Sequence, residues 1–111
     1  MPSERFVDEL NAQIGRELQA AHQYTAVAAF YDRETFPRLA KFFYDQADEE
    51  RGHAMKMVGY LRDTNSTMKL GEIKAPRTAF ADHVEPIALA LEHEKKVTVS
   101  IGKLFEIARE T

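Results

Sequence analysis

The stretch "PRLAKFFYDQADEERGHAMKMVGYLRD", residues 37–63, decides the fold class because it has the apolar period of one long helix. One broad face of that helix would carry Leu39, Phe42, Phe43, Gln46, Glu50, His53, Met57 and Leu61. Pro37 fits the first turn of a helix, where its missing amide hydrogen has no intrahelical partner to lose. The stretch therefore predicts a helix over 37–63 with two ionisable groups on its inner face.

Two other segments show the same period. The first predicts a helix over about 4–31, with Ser3 as N-cap and an apolar face of Phe6, Leu10, Ile14, Leu18, Ala21 and Ala28. The other predicts a helix over about 83–109 with an inner face of Ile87, Leu91, Glu94, Thr98, Ile101, Leu104, Phe105 and Ala108. The short stretch "DRETFP" makes the first two helices antiparallel neighbours.

Residues 63–81 show no sustained period and contain Asn65, Gly71 and Pro76, which favour a connection. About 19 residues at roughly 3.3 Å each can cross the whole length of a helix, so the third helix is expected to lie parallel to the second. No segment alternates in the manner of a strand. The sequence predicts an all-α fold and one domain over residues 1–111.

Composition excludes several classes of function. A net charge of −3 gives no broad positive field, which disfavours nucleic-acid binding. The chain has no cysteine, so it has no disulfide and no thiolate metal site, and any metal ligands must be Asp, Glu or His. It also lacks a basic, apolar leader and a run of eighteen apolar residues, so we expect a cytoplasmic protein that does not span a membrane.

Ionisable side chains fall on the inner faces of all three helices. Glu17 lies on the first, Glu50 and His53 on the second and Glu94 on the third. Unpaired buried carboxylates cost several kcal/mol, and a metal ion would relieve that cost. Glu50 and His53 are three residues apart and share one side of their helix. Ligands rich in oxygen with one imidazole favour iron or manganese over structural zinc. Taken singly, each residue also fits a plainer interpretation, namely a solvated or snorkelling acid and a surface histidine.

Four pieces of the sequence resemble the ferritins, in particular the non-haem bacterial ferritins. They are "RELQAAHQY" at 16–24, "FYDQADEERGHA" at 43–54, "IKAP" at 73–76 and "LALEHEKKVTVSI" at 89–101. The resemblance implies an up-down bundle with a long crossover between the second and third helices. It also implies that Glu17, Glu50 and His53 hold one iron of a di-iron ferroxidase site, with Glu50 bridging to a second iron that Glu94 also holds.

The resemblance extends to residues around that site. Tyr24 matches a tyrosine beside the di-iron site of ferritins, and core filling with a hydrogen-bonded hydroxyl is an equal alternative to a redox role. Glu49 matches an acid that helps to hold a third, weaker iron. Arg51 stands where bacterioferritins typically have a haem-ligating methionine, so no haem is expected.

The function implied by the resemblance is an iron-storage subunit that oxidises Fe(II) with dioxygen or hydrogen peroxide, in a homo-oligomeric shell typically of 24 copies. Ferritin subunits continue into a fourth helix, which this sequence is expected to lack. An apolar groove along Phe42, Leu91, Ile101 and Phe105 should then stay open. Two alternatives remain. One is a truncated ferritin-like assembly or iron-binding module without turnover. The other is a di-iron electron-transfer or peroxidase module that resembles rubrerythrin.

Overall fold

The structure, a computed structural model, describes residues 2–110 and contains three helices. They are α1 (Glu4–Arg33), α2 (Pro37–Asp63) and α3 (Glu85–Ala108). The described residues include no strand, so the all-α prediction is confirmed. The bounds of α2 agree with the prediction, and α1 extends two residues further. The predicted domain limits, residues 1 and 111, lie outside the described part of the chain.

Local hydrogen bonds explain where α1 and α2 begin and end. The Ser3 hydroxyl accepts from the Phe6 amide at 3.1 Å and caps α1 as predicted. Thr35, with φ of 64°, reverses the chain after α1, and the amide of Phe36 donates to the carbonyl of Tyr31 at 2.8 Å. Asn65, with φ of 54°, ends α2 in the same way. Both ends follow the left-handed C-cap pattern without glycine.

α3 begins at Glu85, two residues after the start predicted at about residue 83. The carboxylate of Asp82 accepts from the amides of Val84 and Glu85 at 3.0 and 2.8 Å. These bonds satisfy amide hydrogens that the first helical turn would leave unpaired. The helix therefore begins at Glu85, and Pro86 sits in its first turn as expected.

α1 is the central helix, and it packs against both α2 and α3. Near the C-terminal end of α1, Tyr31 stacks on Phe43 of α2 with ring centroids 5.8 Å apart. Near its N-terminal end, Leu10 belongs to one buried cluster with Leu61 of α2 and Leu104 of α3. α2 and α3 are thus both antiparallel to α1 and parallel to one another, as predicted. Within residues 2–110, α2 and α3 make no backbone contact with one another.

Three amide side chains of α1 hold the crossover between α2 and α3. Asn11, Gln19 and Gln23 each bond to backbone N–H and C=O groups of the crossover, over residues 67–77, at 2.6 to 2.9 Å. An amide side chain carries one acceptor and two donors, so each can satisfy an extended backbone on both sides. The crossover is consequently fixed to α1 through its main chain.

The predicted inner face of α3 is largely uncovered. Leu91 is 62% exposed and Phe105 is 64% exposed, as is Phe42 on α2 at 54%. The groove predicted from the sequence is therefore present. Ile87, Leu91 and Phe105 line this groove and are exposed, because within residues 2–110 no described segment lies over this side of α3. None of the described helices is long and apolar enough to cross a membrane.

Candidate metal centre

The middle turns of α1 and α2 bring three of the predicted ligands together. Glu17 and Glu50 are buried, with only 1% and 4% of their surface exposed. The His53 Nδ1 atom lies 3.8 Å from Glu17 Oε2 and 3.7 Å from Glu50 Oε2. One ligand atom from each residue lies within 4.8 Å of the other two. Glu50 and His53 are 33 and 36 residues from Glu17 in the sequence, and the antiparallel pairing of α1 and α2 brings the three together in one cluster.

The cluster has the geometry of a site for a single cation. Metal bonds to carboxylate oxygen or imidazole nitrogen of about 2.1 Å place neighbouring ligand atoms roughly 3 to 4 Å apart. The two distances to His53 fall in that range. Glu17 Oε2 and Glu50 Oε2 are buried atoms that have no hydrogen-bond partner within the protein. Buried polar atoms are rarely left in this state, and a bound cation would satisfy both.

A hydrogen-bonded chain that the sequence analysis missed orients Glu17. Gln13, fully buried, donates to Glu17 Oε1 at 3.0 Å, so Oε2 points towards His53. Arg16 in turn donates to Gln13 Oε1 at 2.8 Å and to Glu9 at 2.8 Å. Gln13 precedes Glu17 by one helical turn, and this i, i+4 spacing was the signal available in the sequence.

Burial also controls the charge of the cluster. Removal from water, together with the nearby carboxylate of Glu17, raises the pKa of Glu50 to about 9. Near neutral pH the metal-free site therefore holds one proton on Glu50, because two close carboxylates in a dry core cannot both ionise cheaply. A cation that binds here must displace that proton, so binding is expected to release it.

Glu94 is not part of the three-residue cluster. It lies on the exposed part of α3, and its carboxylate accepts a hydrogen bond from the hydroxyl of the buried Tyr24. Burial, and then this carboxylate, raise the pKa of Tyr24 well above its ordinary value. The predicted convergence of four ligands is therefore only partly seen. The physical reason is that, within residues 2–110, the backbone of α3 approaches that of α1 and not that of α2, which leaves Glu94 beside Tyr24 at the edge of the cluster.

The remaining predicted or neighbouring residues lie around the cluster. The Glu49 side chain is 59% exposed, and its Oε1 is 4.0 Å from His53 Nε2, at the open side of the site. His22 is exposed, and His83 Nε2 lies 3.1 Å from Glu34 Oε1. His93 packs edge-on against Tyr24, and its Nε2 atom is buried without a hydrogen-bond partner within the protein. No pattern in the sequence distinguishes His93 from the other two histidines.

Comparisons with known proteins identify the family of this chain. A family model for the ferritin-like domain matches residues 7–111. The chain is 40% identical over 109 residues to ferritin BfrB of Mycobacterium tuberculosis (strain ATCC 35801 / TMC 107 / Erdman), a match that covers 98% of this chain and 60% of that protein. It is 36% identical over 110 residues to the bacterial non-heme ferritin of Staphylococcus aureus (strain USA300), covering 99% of this chain and 66% of the relative.

Solved structures show the same fold. A humanized archaeal ferritin superimposes with a TM-score of 0.95 at 30% identity, covering 99% of this chain and 67% of the other. An engineered closed form of the Archaeoglobus fulgidus ferritin gives a TM-score of 0.93 at 29% identity and also covers 99% of this chain and 67% of the other. The chain spans 60 to 66% of the length of the two bacterial relatives named above.

Proposed function

We propose, from the premise that this chain belongs to the ferritin-like family, that it binds Fe(II) at Glu17, Glu50 and His53 and takes part in iron oxidation and storage. The observation that carries the proposal is the pair of buried carboxylate oxygens without partners that face one imidazole nitrogen. A core that only had to pack would place apolar side chains at these positions. The hard, oxygen-rich ligand set suits iron, which is here a substrate.

Each residue would have a separate task. Glu17, fixed by Gln13, and His53 would hold one iron, and Glu50 would bridge to a second. Glu94 would complete the second position by turning from Tyr24 towards the cluster. Each Fe(II) gives up one electron, and dioxygen or hydrogen peroxide accepts the pair. Carboxylate ligands favour this direction because their negative charge stabilises Fe(III) more than Fe(II).

Outer residues would take supporting tasks. Glu49 would bind a further iron weakly, because its carboxylate stays in solvent beside His53. Tyr24 would either supply an electron or only hold Glu94 through its hydroxyl. Residues 1–111 would form one ferritin-like domain, and the working protein would be a homo-oligomer, with the 24-copy shell typical of the family as the proposed assembly.

A second candidate is an iron-binding module without turnover. The position of Glu94 outside the three-residue cluster favours it, because a site with one complete iron position can bind metal without the paired oxidation. The two candidates differ in a single measurable property. Both predict a tight divalent site at Glu17, Glu50 and His53, and only the first predicts oxidation of Fe(II) above the rate in buffer.

The experiment uses His53→Ala together with a matched control, His22→Ala, which removes an exposed histidine of the neighbouring helix. Anaerobic Co(II) titration should show one spectroscopically distinct site in the wild type and in the control, and none in His53→Ala. Fe(II) followed by air should then give fast growth of near-ultraviolet absorbance in the same two proteins. Cobalt binding with no accelerated oxidation would select the second candidate, and the absence of cobalt binding would refute both.

A further inference from the structure

A network of charged and polar side chains crosses the seam between α1 and α3 and ends at the metal cluster. The carboxylate of Glu9 lies in the middle of it, with Oε1 2.8 Å from Arg16 Nη2 and Oε2 3.6 Å from Lys103 Nζ of α3. Arg16 Nε donates to Gln13 Oε1 at 2.8 Å, and Gln13 donates to Glu17 Oε1 at 3.0 Å. The network therefore links Lys103 on the surface to a proposed iron ligand in the core.

We propose that Arg16 is a positioning residue for the metal site, because its guanidinium holds the amide of Gln13 in the orientation that donates to Glu17. This inference rests on the proposed function, in which Glu17 is an iron ligand. The hydrogen bonds of Arg16 go to Gln13 and Glu9, so its effect on the site passes through Gln13. Arg16 thereby determines which oxygen of Glu17 is free to bind a cation.

The amide of Gln13 can face Glu17 in two ways. Its NH2 group donates to a carboxylate oxygen, whereas its carbonyl oxygen would place two acceptors against one another. Gln13 is fully buried, so a carbonyl oxygen without a partner would be unfavourable there. The bond from Arg16 Nε supplies that partner and leaves the NH2 group for Glu17. Glu17 Oε1 therefore accepts from Gln13, and Glu17 Oε2 faces Nδ1 of His53.

The order of residues along α1 places Arg16 and Glu17 at the two ends of this amide. Gln13 lies three residues before Arg16 and four before Glu17, and both spacings make side chains neighbours on a helix surface. Two consecutive residues thus bond to opposite ends of a single side chain one turn earlier. Glu9 lies seven residues before Arg16 on the same stripe, where its carboxylate holds the outer end of the guanidinium.

A guanidinium suits this task because its donors point in fixed directions. Arg16 uses Nε for Gln13 and Nη2 for Glu9, and the planar group holds both bonds at once. Burial alone would raise the pKa of Glu9, but Arg16 and Lys103 outweigh burial and hold that pKa below its ordinary value. Glu9 therefore stays ionised at neutral pH and anchors the guanidinium.

The charge of Arg16 by itself would have the opposite effect on metal binding. Removal of a positive charge favours a nearby cation, or changes little where a counter-ion such as Glu9 lies beside it. Removal of a positioning residue weakens binding, because Glu17 loses the fixed donor that directs its Oε2 towards His53. The sign of the change in metal affinity therefore separates positioning from electrostatics.

Anaerobic Co(II) titration tests the proposal with Arg16→Met, which keeps most of the length of the side chain and removes its donors. We expect the dissociation constant to rise about three- to tenfold, less than the roughly 10- to 100-fold loss typical when a group bonded directly to a ligand is removed. The d–d bands of bound Co(II) should also shift, because the Glu17 carboxylate changes its position. Arg16→Lys should weaken binding too, since an ammonium lacks the fork that serves Gln13 and Glu9 together.

Arg5→Met is the matched control. It removes another exposed ion pair between α1 and the chain at the end of α3, that of Arg5 with Glu110, which does not involve Gln13. Co(II) affinity and the d–d bands should stay as in the wild type. Urea unfolding of each variant in the presence of a chelator reports the loss of stability separately from the loss of affinity.

A double-mutant cycle tests the route through Gln13. In the Gln13→Ala background Arg16→Met should have no further effect on Co(II) affinity, because the amide that it orients is gone. Equal or tighter Co(II) binding by Arg16→Met than by the wild type would overturn the positioning role and leave the proposed function intact. So would an equal loss of affinity with and without Gln13. A wild type that binds no Co(II) would instead refute the proposed function, and the role of Arg16 at a metal site with it.

Discussion

Replacement of Glu50 by glutamine should stabilise the metal-free protein while it destroys the metal site. Glu17 and Glu50 are both buried, and their ligand atoms lie within 4.8 Å of each other. Two charges at that distance repel by about 3.5 kcal/mol at an effective dielectric constant of 20. If Glu50 is protonated in the folded state, this repulsion disappears, but protonation of a carboxyl group at neutral pH has a similar cost. With a pKa of about 9 in the folded state and an ordinary value of 4.5 in the unfolded chain, that cost at pH 7 is about 3 kcal/mol.

A glutamine removes this cost, but its amide needs hydrogen bonds of its own. Burial of that amide lowers the free energy of unfolding by about 1 to 2 kcal/mol. The free energy of unfolding of metal-free Glu50→Gln should therefore exceed that of the wild type by about 1 to 2 kcal/mol at pH 7. For a domain of about 100 residues that corresponds to a rise in Tm of at least about 5 °C. The measurement is urea or thermal unfolding in the presence of a chelator.

The stability difference between Glu50→Gln and the wild type should depend on pH. The folded state raises the pKa of Glu50, so the stabilising contribution of its proton is complete below pH 4.5 and is lost as the pH rises towards 9. Glu50→Gln should therefore be less stable than the wild type by about 1 to 2 kcal/mol at pH 4, where only the cost of its amide remains, and should become the more stable protein as the pH rises to 8. Co(II) should reverse the order by stabilising only the wild type. Asp48→Asn, an exposed neighbour on α2, is the control and should change stability by less than about 0.5 kcal/mol. A glutamine variant that is less stable than the wild type at pH 8 without metal would refute the reasoning.

Three other changes test the surroundings of the site. Gln13→Ala should lower the free energy of unfolding by about 1 to 3 kcal/mol and weaken Co(II) binding in a titration, because Glu17 loses the donor that orients it; unchanged affinity would show that Glu17 is oriented by other means. The double change Gln19→Ala and Gln23→Ala should speed amide exchange at residues 74–77, measured by mass spectrometry, with little loss of global stability. Ile14→Ala, at a position with no exposed surface, should cost about 2 to 5 kcal/mol in urea unfolding and leave Co(II) affinity intact; a small cost would mean that the cluster around Leu10 and Leu61 can collapse to fill the space.

The helices were predictable because their signals are local. Ser3 and Pro37 mark helix starts by their own chemistry, and the apolar period of residues 37–63 is long enough to leave no rival interpretation. The start of α3 was predicted only to within two residues, because two signals competed. Asp82 caps the helix through a turn of its own, and the apolar period alone does not show where such a turn ends.

The sequence predicted correctly only the part of the site that the pairing of α1 and α2 determines. Glu17 meets Glu50 and His53 because α1 and α2 pack along their whole length, and the apolar stripes fix which sides face each other. The position of Glu94 depends on how closely α3 approaches α2, and nothing in the period of α3 reports a distance between helices. Gln13 was missed because a polar residue on a helix is usually solvated, and its burial follows from the tertiary packing.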